Sequence, residues 1–235
     1  MFNPNPRIQT LTVGGRPLCH VIDDALLEPE RWVEYAAASQ DDFVDAPHNA
    51  YPGPELRLPE DISAHLEQFF STHLRQHFAA RRMLRMYSRL SLTTRAPDEL
   101  APAQRLCHVD RLEMEAGQGI AACVLYLFRD ERLGGTGFYR PLRPMAEIAG
   151  LVQDAMRLPS PEFAAKREIA PGYMTQSNAY FEKLMSVPAR WNRLIFYSGT
   201  IFHSGDITAP DLLSRDPRNG RLTLNGFFLY RRNLA

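Results

Sequence analysis

Residues 108–141 read HVDRLEMEAGQGIAACVLYLFRDERLGGTGFYRP. Gly117, Gln118 and Gly119 form a turn ahead of an apolar run over 120–128, a charged turn fills 129–132, and 133–141 resumes with paired glycines, Thr136, Phe138 and Tyr139. Short apolar runs bounded by turn residues read as buried strands, so this stretch predicts consecutive antiparallel strands. At its head stand His108 and Asp110. Side chains two apart on a strand share a face, so the pair can reach one metal while Val109 points into the core. His-x-Asp alone is a weak signal, and a turn or surface pair is its commoner meaning.

The pattern extends on both sides. Residues 83–93 alternate apolar and polar, with Met86, Tyr87, Arg89 and Ser91 on a strand leading toward the His-x-Asp pair. Residues 192–197 read as a strand, Ser198-Gly199 as a turn, and 201–205 as a strand carrying His203; 221–230 alternates again, with Arg221 and Thr223 on one face. Two imidazoles and one carboxylate can cap one face of a ferrous ion and leave the opposite positions open. His108, Asp110 and His203 are the candidate ligands. Antiparallel strands of this length suit a two-sheet jelly roll (a double-stranded β-helix), and helices packed outside it make the class α+β.

The order of these motifs resembles the Fe(II)/2-oxoglutarate-dependent dioxygenases, specifically the prolyl-hydroxylase-like branch. The resemblance covers roughly 84–231: the His-x-Asp, the strand with Tyr126-Leu127, the Gly134–Phe138 strand, the distal His203 and an Arg221-x-Thr223 pair. It implies Fe(II) on His108, Asp110 and His203, which would also be the catalytic centre, and 2-oxoglutarate anchored through its distal carboxylate by Arg221 and Thr223. Tyr126 is a third candidate for that carboxylate, with a core tyrosine as the alternative. With O2, such enzymes turn 2-oxoglutarate into succinate and CO2 and oxidise a substrate. Asp110 retains the carboxylate that halogenating relatives lack, so hydroxylation is the implied outcome. Two features depart from the pattern. The acidic residue usual after the glycine pair is absent, and Arg221 lies beyond an enlarged loop at 208–219, which leaves Arg215 and Arg218 as rival anchors.

Composition sets outer limits. At 235 residues with 45% hydrophobic content, the chain can bury one full core. Lys+Arg and Asp+Glu both total 27, so no net basic field exists to attract nucleic acid. No early stretch resembles a signal peptide, and the longest apolar run is too short to cross a bilayer; the expectation is a cytoplasmic protein without a membrane partner. Cys19, Cys107 and Cys123 lack metal-site spacing and read as reduced core thiols, although Cys107 adjoins a ligand.

One domain is expected over 1–235, with 1–82 as a helical support region and 83–231 as the jelly-roll core. Pro29 opens a helix through Trp32, Val33 and Ala36; a second starts near Pro59 and carries Ile62, Leu66, Phe69, Phe70 and Leu74. A Pro/Gly-rich loop at 47–59 joins them. His73 and His77 share a helical face but lack a protease glutamate, and read as surface residues; His20, His48 and His65 read as structural or exposed. Residues 145–188 interrupt the strands with a helical pattern, either a lid or a core-covering layer, and supply Tyr173, Asn178 and Tyr180 as substrate-contact candidates. The expected substrate is a small molecule or peptide. A non-catalytic jelly-roll binding module and a metal-dependent hydrolase are the other readings; oligomeric state is not legible.

Overall fold

The structure is a computed structural model, and it describes residues 1–45, 51–110 and 114–233. The chain opens on a hairpin, β1 (Ile8–Val13) and β2 (Arg16–Ile22), joined by Gly14-Gly15 with φ of 57° and 76°. Two successive positive φ angles are what a two-residue turn matched to strand twist requires. Helix α1 (Pro29–Ala38) follows with proline at its first position, then the short strand β3 (Glu55–Arg57). Helix α2 (Glu60–Phe69) carries Glu60 and Asp61 in its first turn, where they oppose the helix dipole, and continues as one wider turn over Phe70–Leu74. Strand β4 (Ala80–Thr93), β5 (Gln118–Tyr126) and β6 (Gly135–Pro141) come next; then helices α3 (Met145–Arg157) and α4 (Ser160–Arg167); then β7 (Phe181–Val187), β8 (Leu194–Ser198), β9 (Phe202–Asp206) and β10 (Arg221–Arg232).

These strands form two antiparallel sheets, a seven-stranded one ordered β1-β2-β8-β5-β10-β4-β3 and a three-stranded one ordered β7-β6-β9. They face each other. Cys19, Val21, Ala122, Ile195 and Tyr197 of the large sheet share a core with Phe138 and Val187 of the small one. The alternate residues of the large sheet, including Leu90, Phe196, Leu224 and Phe228, meet Val33, Leu66, Phe69 and Phe70 on the other side. Phe70 stacks on Phe228 at 4.7 Å between centroids, and its truncation to alanine would cost about 3–5 kcal/mol. Tyr139, Phe181 and Phe202 point away from the small sheet's inner face and are covered by Ile148, Leu151 and Phe163 of α3 and α4. The jelly roll is therefore clad by helices on both faces, not on one.

Three expectations need correction. Residues 1–82 are more than helical support, since β1, β2 and β3 are strands of the large sheet. The helical pattern expected to run to 188 ends earlier, because 181–187 is the strand β7 paired with β6. The His-x-Asp segment is no regular strand: His108 makes an isolated bridge to His203, with Asp110 in a bend beyond it. Val109 does pack beside the cluster under α3 and α4. His48 and part of the 47–59 loop lie outside the described residues. Among the described residues no helix is long and apolar enough to cross a membrane.

Candidate metal centre and co-substrate cavity

The His108 amide donates to the His203 carbonyl and the His203 amide donates back, both at 2.9 Å, while the Asp110 amide donates to the Gly199 carbonyl at 2.8 Å. Three backbone bonds thus lock the ligand-bearing loop onto β9 and its preceding turn. One possible ligand atom from each of His108, Asp110 and His203 lies within 4.8 Å of the others. His203 Nε2 is 3.6 Å and His108 Nε2 is 4.0 Å from Asp110 Oδ1. The His203 Nδ1–H donates to the Ile201 carbonyl at 2.9 Å, which leaves the Nε2 lone pair turned to the carboxylate.

The donor set fits a divalent cation. Asp110 Oδ2 is buried and has no hydrogen-bond partner among the described residues, so a carboxylate oxygen is held out of water with no donor to satisfy it. Burial pushes the Asp110 carboxyl up to about 6, against lowering by His108 and Arg89. Lost hydration pushes both imidazoles down to about 4, with repulsion from His203 adding to the effect at His108. His108 keeps 47% of its side-chain surface open, and that surface faces the cavity. Both rings are neutral at neutral pH, the form that binds metal.

The triad sits in one cavity with Arg221, Thr223, Thr93, Tyr51 and Tyr173. Arg221 is 4% exposed. Its Nε donates to the carbonyls of Leu133 and Gly134 at 3.0 and 3.2 Å, its Nη2 to that of Gly135 at 2.8 Å, and its Nη1 reaches only Thr93 Oγ1, at 3.4 Å. The paired glycines make this possible: a Cβ on Gly134 would lie 2.1 Å from the Asp206 carbonyl oxygen and one on Gly135 1.9 Å from that of Val187. Carbonyls satisfy donors without cancelling charge. Among the described residues no carboxylate pairs with Arg221, so the cavity holds a buried cation ready for an anion.

Of the rival anchors, Arg218 is on the surface paired with Glu34 at 2.6 Å, and Arg215 is exposed. Thr223 and Tyr173 line the cavity, the latter donating from its hydroxyl to the Arg95 carbonyl at 2.7 Å. Tyr126 is not among the lining residues; wholly buried, it spends its hydroxyl on Thr136, which does line the cavity, at 2.8 Å. Asn178 accepts from the amides of Tyr180 and Phe181 at 2.9 Å and so shapes the entry to β7, and Tyr180 packs under α3 and α4; neither reaches the cavity.

Elsewhere, the remaining described histidines hold no such geometry. The His20 ring lies tilted against His77 at 4.5 Å and pairs with Thr10 at 3.0 Å, His73 lies tilted against Phe69, and His65 is exposed. All three cysteines are buried and unpaired, and burial pushes their thiols up, Cys107 included, which removes the thiolate that a redox sensor needs.

Tyr51, Arg89 and Thr93 are cavity residues that sequence reasoning did not assign to the site. The Tyr51 hydroxyl lies 2.7 Å from Thr93 Oγ1 and 3.4 Å from Thr223 Oγ1, but Tyr51 sits in an aperiodic loop that carries no signal. Thr93 was legible in principle: Arg89, Ser91 and Thr93 alternate with the fully buried Leu90 and Leu92, a polar stripe on a core strand.

Fold and site together define a jelly roll in which two histidines and one carboxylate that could hold a cation share a cavity with a buried arginine. The chain belongs to a family of unknown function, DUF6445, whose model matches residues 4–228. No curated protein matches it. Solved structures similar to it include a Pseudomonas putida prolyl-4-hydroxylase (12% identity, 92% of this chain and 93% of that one, TM-score 0.47). HygX from Streptomyces hygroscopicus with nickel and 2-oxoglutarate bound is another (11% identity, 92% and 83%, TM-score 0.48). A third is the non-heme alpha ketoglutarate dependent epimerase SnoN from nogalamycin biosynthesis (13% identity, 91% and 80%, TM-score 0.47).

Proposed function

We propose that the chain is an Fe(II)- and 2-oxoglutarate-dependent dioxygenase that hydroxylates a small-molecule or amino-acid or peptide substrate. The observation that carries this reading is the orphaned, buried Asp110 Oδ2 beside two neutral imidazoles, in one cavity with a guanidinium that lacks a carboxylate. One site asks for a cation and the other for an anion. His108, Asp110 and His203 would hold Fe(II); Arg221, with hydroxyls from Thr223, Thr93 and Tyr51, would hold the distal carboxylate of 2-oxoglutarate. Bound Fe(II) and 2-oxoglutarate supply the oxidising power from O2, with succinate and CO2 released. The protein's share is orientation: the Ile201 carbonyl fixes the His203 tautomer, the 133–135 carbonyls aim Arg221, and Tyr173, held by the Arg95 carbonyl, forms part of the cavity wall.

Succinate formation in the presence of Fe(II), O2 and 2-oxoglutarate tests the proposal. Slow uncoupled succinate release is expected without substrate, lost in His203→Ala and on chelation. Absence of succinate from iron-loaded protein that binds 2-oxoglutarate would favour a non-catalytic binding module.

A further inference from the structure

Between the triad and the open edge of the large sheet stands Arg89 of β4, which lines both the metal cavity and a second depression bordered by Glu55, Arg57, Arg85 and Tyr87. Its charge acts on both His108 and Asp110, and its guanidinium lies over the Phe227 ring at 4.9 Å. Phe227 in turn stacks on Tyr87 at 4.9 Å and 20°, and Arg85 lies over Tyr87 at 5.8 Å. The alternation is dictated by register: Arg85, Tyr87 and Arg89 share one face of β4, and Phe227 faces Tyr87 from β10.

Arg89 has a counter-charge but no hydrogen bond. Glu55 Oε1 lies 2.7 Å from Arg89 Nε, yet that nitrogen is buried without an acceptor at hydrogen-bonding angle. Among the described residues no group accepts from either terminal nitrogen, so the planar fork that recognises carboxylates has no hydrogen-bond partner on a residue that lines the cavity. Arg221 enters the cavity from a separate place: it pairs in register with Thr93, four residues from Arg89, which sets the two backbones roughly 13 Å apart at about 3.3 Å per residue.

We infer that Arg89 is a substrate-recognition residue, and that the substrate carries a carboxylate bound by this fork while its apolar or aromatic body lies on the Phe227–Tyr87 platform. The inference deepens the dioxygenase reading by naming a substrate class. A guanidinium fork against a carboxylate gives direction, and stacked rings give area at low entropic cost.

N-Acetylphenylalanine and its uncharged carboxamide are matched probes, since they share shape and differ in the carboxylate. Two readouts apply: calorimetric titration of the metal-free protein, and perturbation of the charge-transfer band of the anaerobic Fe(II)–2-oxoglutarate complex. The acid is expected to bind at least tenfold more tightly than the amide. Arg89→Lys should erase most of that preference while keeping the contact with Glu55, and Arg89→Gln combined with Glu55→Gln should erase all of it without leaving a lone buried charge. Equal binding of acid and amide, no binding of the acid, or a preference that survives the double variant would overturn the inference. So would an Arg89→Lys protein that loses 2-oxoglutarate affinity as steeply as it loses the acid, because Arg89 would then belong to the co-substrate anchor. Failure of the charge-transfer band to form in the parent protein would instead sink the iron and 2-oxoglutarate reading, and the calorimetric comparison of acid with amide would still stand.

Discussion

His108 and His203 exchange both backbone hydrogen bonds at 2.9 Å, and their rings lie 4.4 Å apart between centroids. A two-residue bridge is thus the whole β-structure holding the first ligand to the last. The bridge is backbone, so it does not depend on either side chain. His203→Ala should therefore keep the fold but lose the metal response. In the parent, Fe(II) or Mn(II) at a hundredfold over Kd should stabilise by about 2.7 kcal/mol, read as a rise in Tm reversed by chelator. An equal rise in His203→Ala would remove His203 from the ligand set.

Asp110 makes the apo protein's stability depend on pH in a defined sense. Its carboxyl is held near 6 in the fold against an ordinary 3.8, so the folded state binds that proton more tightly than the unfolded state. The cost of ionising it grows as pH rises from about 4 through 6 and stands in full above 6. The two histidines act oppositely over the same range, since imidazoles pushed down to about 4 cost stability as pH falls below 6.5. Comparing Asp110→Asn with the parent isolates the carboxyl. Without metal, the variant should be more stable by on the order of 2 kcal/mol at pH 8, with the gap closing toward pH 4. Denaturant midpoints at the two pH values measure it, and a gap that widens toward acid would contradict the buried, uncompensated carboxylate.

Gly199 is set against the candidate ligand Asp110. A Cβ there would lie 2.7 Å from Asp110 Oδ2, whereas the clash at Gly135 is with backbone. A carboxylate can rotate away and a strand cannot. Gly199→Ala should stay folded and bind metal at least tenfold more weakly, while Gly135→Ala should fail to fold or lose several degrees of Tm. Equal metal affinity in Gly199→Ala would mean that the carboxylate has room to spare.

The jelly roll was legible from local pattern, apolar runs between turns, whereas the clustering of His108, Asp110 and His203 was legible only from the order of motifs and the family resemblance it carries. The β1–β2 hairpin has its only clear sequence signal in Gly14-Gly15, because β2 is a continuous buried run without alternation. Residues 181–187 misled for a physical reason. This strand is buried at Phe181 and Val187, partly buried over 182–185 and exposed at Ser186, so it follows no clean alternation. Tyr51 and Arg89 could be assigned to the cavity only once β3, β4 and β10 were in register, because their roles come from neighbours distant in sequence.

The sequence leaves 145–188 open between lid and cladding, and with 181–187 in β7 the question falls on 145–180. Ile148, Leu151 and Phe163 are 2% exposed or less, packed on Tyr139, Phe181 and Phe202, and only Tyr173 from this stretch lines the cavity. Its deletion should give insoluble protein, since it would expose the outer face of the small sheet. A soluble, folded truncation that still releases succinate would restore the lid. Tyr173→Phe, by contrast, should fold normally and lose only the bond to the Arg95 carbonyl.

Arg221 joins the glycine pair to the proposed co-substrate, so its removal should have two separable effects. Truncation to alanine leaves the carbonyls of Leu133, Gly134 and Gly135 without their donor, a loss on the order of 1–3 kcal/mol of stability whether or not any ligand binds. If it also anchors the distal carboxylate, the same change leaves a partly buried carboxylate unpaired and should cost about 2–5 kcal/mol of 2-oxoglutarate binding. Arg221→Lys restores charge without the fork and should recover only part of each. Metal affinity should be nearly unchanged in both variants, because the ligands lie on β9 and on the loop bridged to it. Melting curves read the first effect; anaerobic titration of 2-oxoglutarate into Fe(II)-loaded protein reads the second. A variant that melts lower yet binds 2-oxoglutarate as tightly as the parent would confine Arg221 to holding the glycine turn, and would move the anchor to another cation of the cavity.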